Sequence, residues 1–130
     1  AGLVTASAAE MAAGIDRDGH ISVYNIFFDT GKAALKPESK AALDEVAQLL
    51  KNRPALRLMV VGHTDSVGGL AMNMRLSADR AAAVVGALTG TYGIAAARLS
   101  PHGAGPLAPI GSNRTDEGKA KNRRVDLVEQ

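Results

Sequence analysis

The sequence predicts an α/β (α+β) sandwich, in which helices pack on one face of a mixed sheet. Apolar stripes at helical spacing alternate with short β-branched runs, and the elements follow the order αβαβαββ. Hydrophobic residues make up 46% of the chain and aromatic residues only 3%, so we expect one core of aliphatic side chains. A chain of 130 residues has the size of a single domain. The last strand is expected to be antiparallel to its neighbours.

The first half of the chain predicts two helices and two strands. An Ala-rich helix is expected over 5–15, because Thr5 or Ser7 can accept hydrogen bonds from its first N–H groups. A dense run of β-branched and aromatic residues over 20–28 predicts the first strand. The other two predicted elements are a helix over 36–52, with proline in its first turn, and a strand over 56–61.

The second half predicts one more helix and two more strands. Ser77 is the predicted N-cap of the third helix, which ends at Gly90. A brief strand is expected over 98–102. Residues 103–118 are rich in Gly, Pro, Ser, Asn and Asp, which predicts a long surface loop. The terminal strand is expected over 125–128.

The charge pattern and the missing residue types argue against several classes of function. The chain has 15 basic and 13 acidic residues, scattered enough to make nucleic-acid binding a poor hypothesis. It has no cysteine, which excludes disulfides and thiol chemistry. No apolar run reaches the roughly 20 residues that cross a bilayer, so we expect no membrane insertion by this domain. The three histidines lack ligand spacing, and the sequence predicts neither a metal nor another cofactor.

Several short motifs occur in a fixed order along the chain. They are FFDTG at 27–31, VGHTDS at 61–66, NMRLSADRA at 73–81, GAG at 103–105 with Pro109, and NRRV at 122–125. In order and spacing they resemble the OmpA-like C-terminal domain, a family that includes domains of peptidoglycan-associated lipoprotein and of the flagellar stator protein MotB. The resemblance covers residues 20–130 and leaves 1–19 as an N-terminal helix and lead-in. It implies a βαβαββ fold with strand order 1-4-2-3.

The resemblance implies non-covalent binding of peptidoglycan through the meso-diaminopimelate of its stem peptide. The end of a diaminopimelate side chain carries an ammonium and a carboxylate on one carbon, so a receptor needs one anion and one cation close together. The family's charged residues correspond to Asp65 and Arg80, and an arginine fork holds a carboxylate with two hydrogen bonds. If Ser77 caps the helix, its N-terminal dipole also favours that carboxylate. The other residues that the resemblance places in this pocket are Asn73, Leu76, Phe28, Asp29 and Thr30.

This assignment predicts a binding domain without enzymatic activity in the periplasm, attached to or part of an outer-membrane protein. His63, Asp65 and Ser66 have the composition of a catalytic triad, but neighbours in one loop do not easily adopt its geometry. We expect His63 to hydrogen bond within its loop, and Arg123 and Arg124 to pair with Asp126 or Asp29.

A protein–protein interaction module is the alternative function. In that case the pocket is vestigial, and the loop over 103–118 docks another protein of an envelope complex.

Overall fold

Local signals in the sequence account for the start and end of the first helix. The Ser7 side chain accepts a hydrogen bond from the backbone N–H of Glu10 at 3.1 Å, and the Glu10 carboxylate accepts one from the N–H of Ser7 at 3.1 Å. This reciprocal pair satisfies two N–H groups that the helix itself leaves open. Gly19 ends the helix at φ +79°, a conformation that favours glycine. Of the two predicted caps, Ser7 is therefore the one used.

The computed structural model describes residues 5–130, and the first four residues of the predicted lead-in lie outside the described residues. The short 3-10 turns are Pro37–Ser39 and Ala96–Arg98. The main elements are α1 (Ala8–Asp18), β1 (His20–Val23), α2 (Lys40–Asn52), β2 (Leu58–His63), α3 (Leu70–Gly90), β3 (Leu99–Gly105), α4 (Asp116–Asn122) and β4 (Arg124–Glu129).

The four strands form one mixed sheet in the order β1-β4-β2-β3. β4 is antiparallel to both of its neighbours, whereas β2 and β3 run parallel. Leu127 faces Ile21 on one side and Val60 on the other, so apolar residues line up across the sheet. The predicted fold class and the antiparallel final strand are confirmed.

The core lies between the sheet and helices α1, α2 and α3. Its largest fully buried side chains come from all three helices and from the strands, so α1 shares this core. The boundary at residue 19 between lead-in and domain stays a prediction. The largest of these apolar side chains are Met11, Ile15, Leu49, Leu50, Leu58, Leu88 and Leu127.

The predicted bounds of the first strand, of the long loop and of the third helix were wrong. The first strand ends at Val23, because Val23 opposite Val125 is its last pair with β4 and no strand continues beside residues 24–28. The loop predicted over 103–118 begins within β3 and ends within α4. The third helix begins at Leu70, and Ser77 lies buried inside it.

Two glycines allow α3 to lie unusually close to the sheet. A Cβ atom on Gly62 of β2 would lie 2.2 Å from the backbone oxygen of Ser77. One on Gly103 of β3 would lie 2.5 Å from the backbone nitrogen of Ala78. Real Cβ atoms do not come this near to backbone, so only glycine fits at these two points without moving the helix. The Ser77 hydroxyl adds a tertiary bond here, because it accepts from the N–H of Gly105 at 2.9 Å.

We expect Gly62→Ala to destabilise the domain by about 1–3 kcal/mol or more, because the new methyl group must displace helix backbone. Gly86→Ala is the matched control. It adds the same methyl group in the middle of α3 where nothing lies within 4 Å, and should stabilise by about 0.5–1 kcal/mol through helix propensity. Urea unfolding of the three proteins measures both changes. Equal stability of the two variants would contradict the proposed close approach.

Candidate functional site

A cleft of about 620 Å³ opens at the end of the sheet where β2 finishes and β4 begins. The chain leaves β1 after Val23 and forms one wall, while the start of β4 and the end of α4 form the other. Such a volume suits a small ligand or a short peptide segment. The lining residues include Tyr24, Ile26, Phe27, Phe28, Glu38, Gly62, His63, Arg80, Arg123 and Arg124.

Asp65 lies in the loop that follows β2, with a side chain that is only 13% exposed. Its Oδ1 accepts a hydrogen bond from the backbone N–H of Val67 at 2.9 Å, which fixes the carboxylate relative to the loop. Its Oδ2 accepts one from Nη1 of Arg123 at 2.8 Å. Arg123 therefore pairs with Asp65 and with neither of the two acids that the sequence suggested.

Arg80 projects from the middle of α3 and lines the cleft. Its Nε donates to the backbone oxygen of Lys32 at 2.9 Å, and its Nη2 donates to that of Asp29 at 3.1 Å. Its Cζ atom lies 4.8 Å from the centre of the Phe28 ring, within the range of a cation–π contact. The guanidinium is thus held in one orientation by a turn and an aromatic ring.

Burial lowers the pKa of Arg80, and the negative charge of Asp65 partly offsets this effect. The two predicted charges therefore lie close enough to influence each other. The helix dipole contributes nothing here, because Arg80 lies about three turns from the start of α3. The expected role of a helix N-terminus at this position was wrong, since Ser77 is not the cap.

The remaining predicted site residues have different surroundings. Asn73 is buried, and its side-chain amide donates to the backbone oxygen of Val67 at 2.9 Å, so it orders the loop that carries Asp65. Leu76 is half-buried and lies one turn before Arg80 on the same helix face. Asp29 and Thr30 are exposed in the turn that contacts Arg80. The Asp29 carboxylate lies 3.4 Å from Nζ of Lys36.

The turn after Phe28 is built by glycine and by contacts that replace the missing strand partner. The N–H of Lys32 donates to the backbone oxygen of Asp29 at 3.0 Å, and Gly31 adopts φ +69° within this turn. The buried Ser39 hydroxyl accepts from the N–H of Phe27 at 2.7 Å. These bonds hold the wall of the cleft in place and direct two carbonyl groups at Arg80.

Sequence reasoning missed a buried polar cluster beside the cleft, on the sheet face opposite the helices. Asp126 of β4 accepts from the Ser22 hydroxyl at 2.7 Å and from Nε of Arg124 at 3.0 Å. The expected pairing of Arg124 with Asp126 is confirmed. His63 is 8% exposed, and Arg124 and Asp126 are each 7% exposed. Polar residues alternating with apolar ones along a strand are typical of a solvated face, so no signal in the sequence marked these residues as buried.

The His63 ring lies within this cluster without a side-chain hydrogen bond. Its Nε2 lies 3.1 Å from Oδ2 of Asp126, an ion-pair distance at an angle outside hydrogen-bond geometry. Neither ring nitrogen has a hydrogen-bond partner among residues 5–130. The expectation that His63 hydrogen bonds within its own loop was therefore wrong.

Comparisons with known proteins agree with this fold. A sequence profile of the OmpA family matches residues 27–123. The chain is 48% identical over 104 residues to the probable lipoprotein YiaD of Escherichia coli (strain K12), covering 80% of this chain and 47% of that protein. It is 41% identical over 103 residues to the peptidoglycan-binding protein ArfA of Mycobacterium bovis, covering 79% of this chain and 31% of that protein.

A solved structure shows the same architecture. The peptidoglycan-associated lipoprotein from Burkholderia pseudomallei aligns with a TM-score of 0.71 at 31% identity, covering 81% of this chain and 88% of that one. The chain is a member of the OmpA family. It spans less than half the length of YiaD and about a third of ArfA.

The buried cluster makes the stability of the domain depend on pH. Burial alone raises the pKa of Asp126, but the His63 ring, the Ser22 hydroxyl and the charge of Arg124 outweigh it and hold the pKa below its ordinary value of 3.8. A carboxyl group whose pKa is lower in the folded state stabilises the fold above its ordinary pKa. That stability is lost as the pH falls through the folded-state value.

We therefore expect the melting temperature to fall as the pH drops below about 4. Asp126→Asn should cost about 3–5 kcal/mol at pH 7, because it leaves Arg124 buried without its counter-charge. It should also reduce the loss of stability on acidification. Asp79→Asn, an exposed carboxylate on α3, serves as the control. Scanning calorimetry between pH 7 and pH 2.5 measures both effects, and identical pH profiles for wild type and Asp126→Asn would contradict this account.

Proposed function

We propose that this domain binds peptidoglycan non-covalently, through the meso-diaminopimelate of the stem peptide, and has no chemistry of its own. The observation that carries the proposal is a pair of opposite charges, the Arg80 guanidinium, which lines the cleft, and the Asp65 carboxylate, which lies beside it and is hydrogen bonded to the cleft residue Arg123. Both are partly buried, both are oriented by neighbouring groups, and each influences the other electrostatically. A ligand that presents an ammonium and a carboxylate on one carbon satisfies both at once.

Asp65 is suited to the ammonium group. The backbone N–H of Val67 donates to Oδ1 of the Asp65 carboxylate, and Nη1 of Arg123 donates to Oδ2. A carboxylate oxygen accepts more than one hydrogen bond, so an incoming ammonium can share Oδ2 or displace Arg123 from it. The side chain of Arg123 is 52% exposed, which leaves it room to move aside.

Arg80 is suited to the carboxylate group. The backbone oxygens of Asp29 and Lys32 take Nε–H and one proton of Nη2. The guanidinium has five N–H donors, so its Nη1 and Nη2 edge can still hold a carboxylate with two parallel bonds. Because the guanidinium is already partly removed from water, ligand binding costs less free energy to desolvate and orient it.

The proposed role is to attach an envelope protein to the cell wall from within the periplasm. It agrees with the names of the relatives, which include a peptidoglycan-binding protein, a probable lipoprotein and a peptidoglycan-associated lipoprotein. No helix within residues 5–130 is long and apolar enough to cross a membrane.

A protein–protein interaction module with a vestigial pocket remains the second candidate. The loop between β3 and α4 exposes Leu107 by 64% and Ile110 by 53%, an apolar surface that suits another protein of an envelope complex. Replacing both with serine should leave binding to purified sacculi unchanged if peptidoglycan is the ligand. Failure of the wild-type domain itself to bind sacculi would favour the second candidate.

We expect the domain to co-sediment with sacculi of the diaminopimelate type, and free diaminopimelate to compete. Asp65→Asn and Arg80→Gln should each weaken binding by about tenfold or more, because each removes one half of the charge recognition. Asp79→Asn and Arg75→Gln remove the same charges from exposed positions on α3 and should bind normally. Wild-type affinity of Asp65→Asn or Arg80→Gln would contradict the proposal, as would a failure of the wild-type domain to sediment.

Stem peptides of the lysine type should bind about tenfold more weakly or worse, because lysine lacks the second carboxylate that Arg80 would hold. In Arg80→Gln the ratio between the two peptide types should fall close to one. Titration calorimetry with matched peptides measures the ratio in both proteins. Equal affinity of the wild type for the two peptides would show that Arg80 does not read that carboxylate.

A further inference from the structure

The Asp65 carboxylate already has a cation of the protein at the oxygen where a ligand ammonium would bind. Its Oδ2 lies 2.8 Å from Nη1 of Arg123, and within residues 5–130 this is its one ion pair. Its Oδ1 accepts from the backbone N–H of Val67 at 2.9 Å. The Asp65 side chain is mostly buried and is fixed by this backbone bond, whereas the Arg123 side chain is half exposed. Arg123 is therefore the partner that can move.

The second cation of the site is held back from Asp65 by the backbone. Nε of Arg80 donates to the backbone oxygen of Lys32 at 2.9 Å, and its Nη2 donates to that of Asp29 at 3.1 Å. Arg80 influences Asp65 through its charge, but only Arg123 among the described residues forms an ion pair with it. Two guanidinium groups thus surround one carboxylate, and positive charge is in excess before a ligand binds.

The other charged groups of the cleft do not remove this excess. Arg124 is paired with Asp126 at 3.0 Å. Glu38 lines the cleft with an exposed side chain, and it shares Lys36 with the exposed carboxylate of Asp29. Water and salt screen exposed charges of this kind, so they contribute little within the site.

Arg123 therefore opposes an incoming ammonium group. It uses Oδ2, the oxygen that Val67 leaves open, so the contact of the ligand with Asp65 replaces an existing one. If the two cations share that oxygen, they lie a few ångströms apart and repel each other. In both arrangements a ligand gains less at Asp65 than it would gain at an unpaired carboxylate.

We infer that Arg123 is an internal competitor of the ligand, which neutralises Asp65 in the free domain and is displaced from it by the ammonium group of diaminopimelate. The ligand carboxylate, held by Arg80, supplies the interaction that favours this exchange. An ammonium group alone replaces one cation with another and gains little, so the pair keeps Asp65 closed to simple amines. The inference rests on the proposed binding of diaminopimelate and names the residue that limits its affinity.

The test compares two ligands in wild type and Arg123→Gln. They are free meso-diaminopimelate and 1,5-diaminopentane, which is diaminopimelate without its two carboxylates. NMR titration measures weak affinities, and the amide signal of Val67 reports on Asp65, to which it donates. In Arg123→Gln the diamine should bind about fivefold more tightly, because Asp65 has lost its internal cation. Diaminopimelate should gain about threefold, since it also loses the attraction of Arg123 for its carboxylates.

Three further variants assign the gain to the ion pair. Arg123→Lys keeps a cation and should bind both ligands within about twofold of wild type. Arg114→Gln removes an exposed arginine outside the cleft and should change neither affinity. In an Asp65→Asn background, Arg123→Gln should give no gain for the diamine, because the competition runs through the Asp65 carboxylate. Thermal melting verifies that each variant is folded.

The direction of the change decides between competition and a merely structural role. If Arg123 only orients Asp65, Arg123→Gln weakens the binding of both ligands, and this result would overturn the inference. Unchanged affinities would overturn it too, as would a gain that persists in the Asp65→Asn background. In each of these cases wild-type binding of diaminopimelate leaves the proposed function intact. A wild-type domain that does not bind diaminopimelate overturns the proposed function and the inference with it.

Discussion

The close contact between α3 and the ends of β2 and β3 determines where the two site charges lie. Asp65 follows β2, and Arg80 projects from α3, so the distance between helix and strand sets the distance between anion and cation. Gly62 and Gly103 permit that distance, since any larger residue would push the helix away from the sheet. The glycines carry no chemistry of their own. They are nevertheless part of the site, because recognition of two opposite charges on one carbon tolerates little error in their spacing.

Both charged residues of the proposed site already have partners within the protein. Arg123 holds Asp65, and two backbone oxygens with the Phe28 ring hold Arg80. These contacts orient the side chains before a ligand arrives, which lowers the entropy lost on binding. They also limit the cost of partial burial, since an unpaired charge removed from water is strongly unfavourable. A ligand therefore exchanges partners at Asp65 and adds partners at Arg80, so that no isolated charge is left at either residue.

Much of the fold follows from local signals, because β2 has a short apolar run, α2 has a clear apolar period and α1 has a side-chain cap. The start of α3 could not be predicted from local sequence signals, for two reasons. Its N-cap is Gly69, which offers no capping side chain. Ser77, a residue type that often caps helices, is buried within α3, where its hydroxyl contacts Gly105 of β3. A hydrogen bond across 28 residues of sequence leaves no local trace.

The same limit applies to the candidate site. The motifs that resemble those of the OmpA family indicated Asp65 and Arg80. The resemblance does not predict which other residues contact these two. The role of Arg123 as the partner of Asp65 depends on contact across 58 positions of the chain. The burial of His63 and Asp126 depends on packing over a sheet face that the alternating pattern predicts to be solvated. In each case a long-range contact, and no property of neighbouring residues, decides the environment.

The order of strands in the sheet has a consequence for how the chain reaches its native state. β4 is the last of the four strands in sequence, yet it lies between β1 and β2 and is the only described strand that joins them. During synthesis, β1 can form no ladder until more than 100 later residues have emerged, since its partners begin at Val125. Long-range pairing of this kind slows folding and leaves an unpaired strand edge exposed meanwhile. The cleft closes at the same moment, because Arg123 and Arg124 enter it with β4. Binding competence and completion of the sheet are therefore a single event, and a partly made chain has neither.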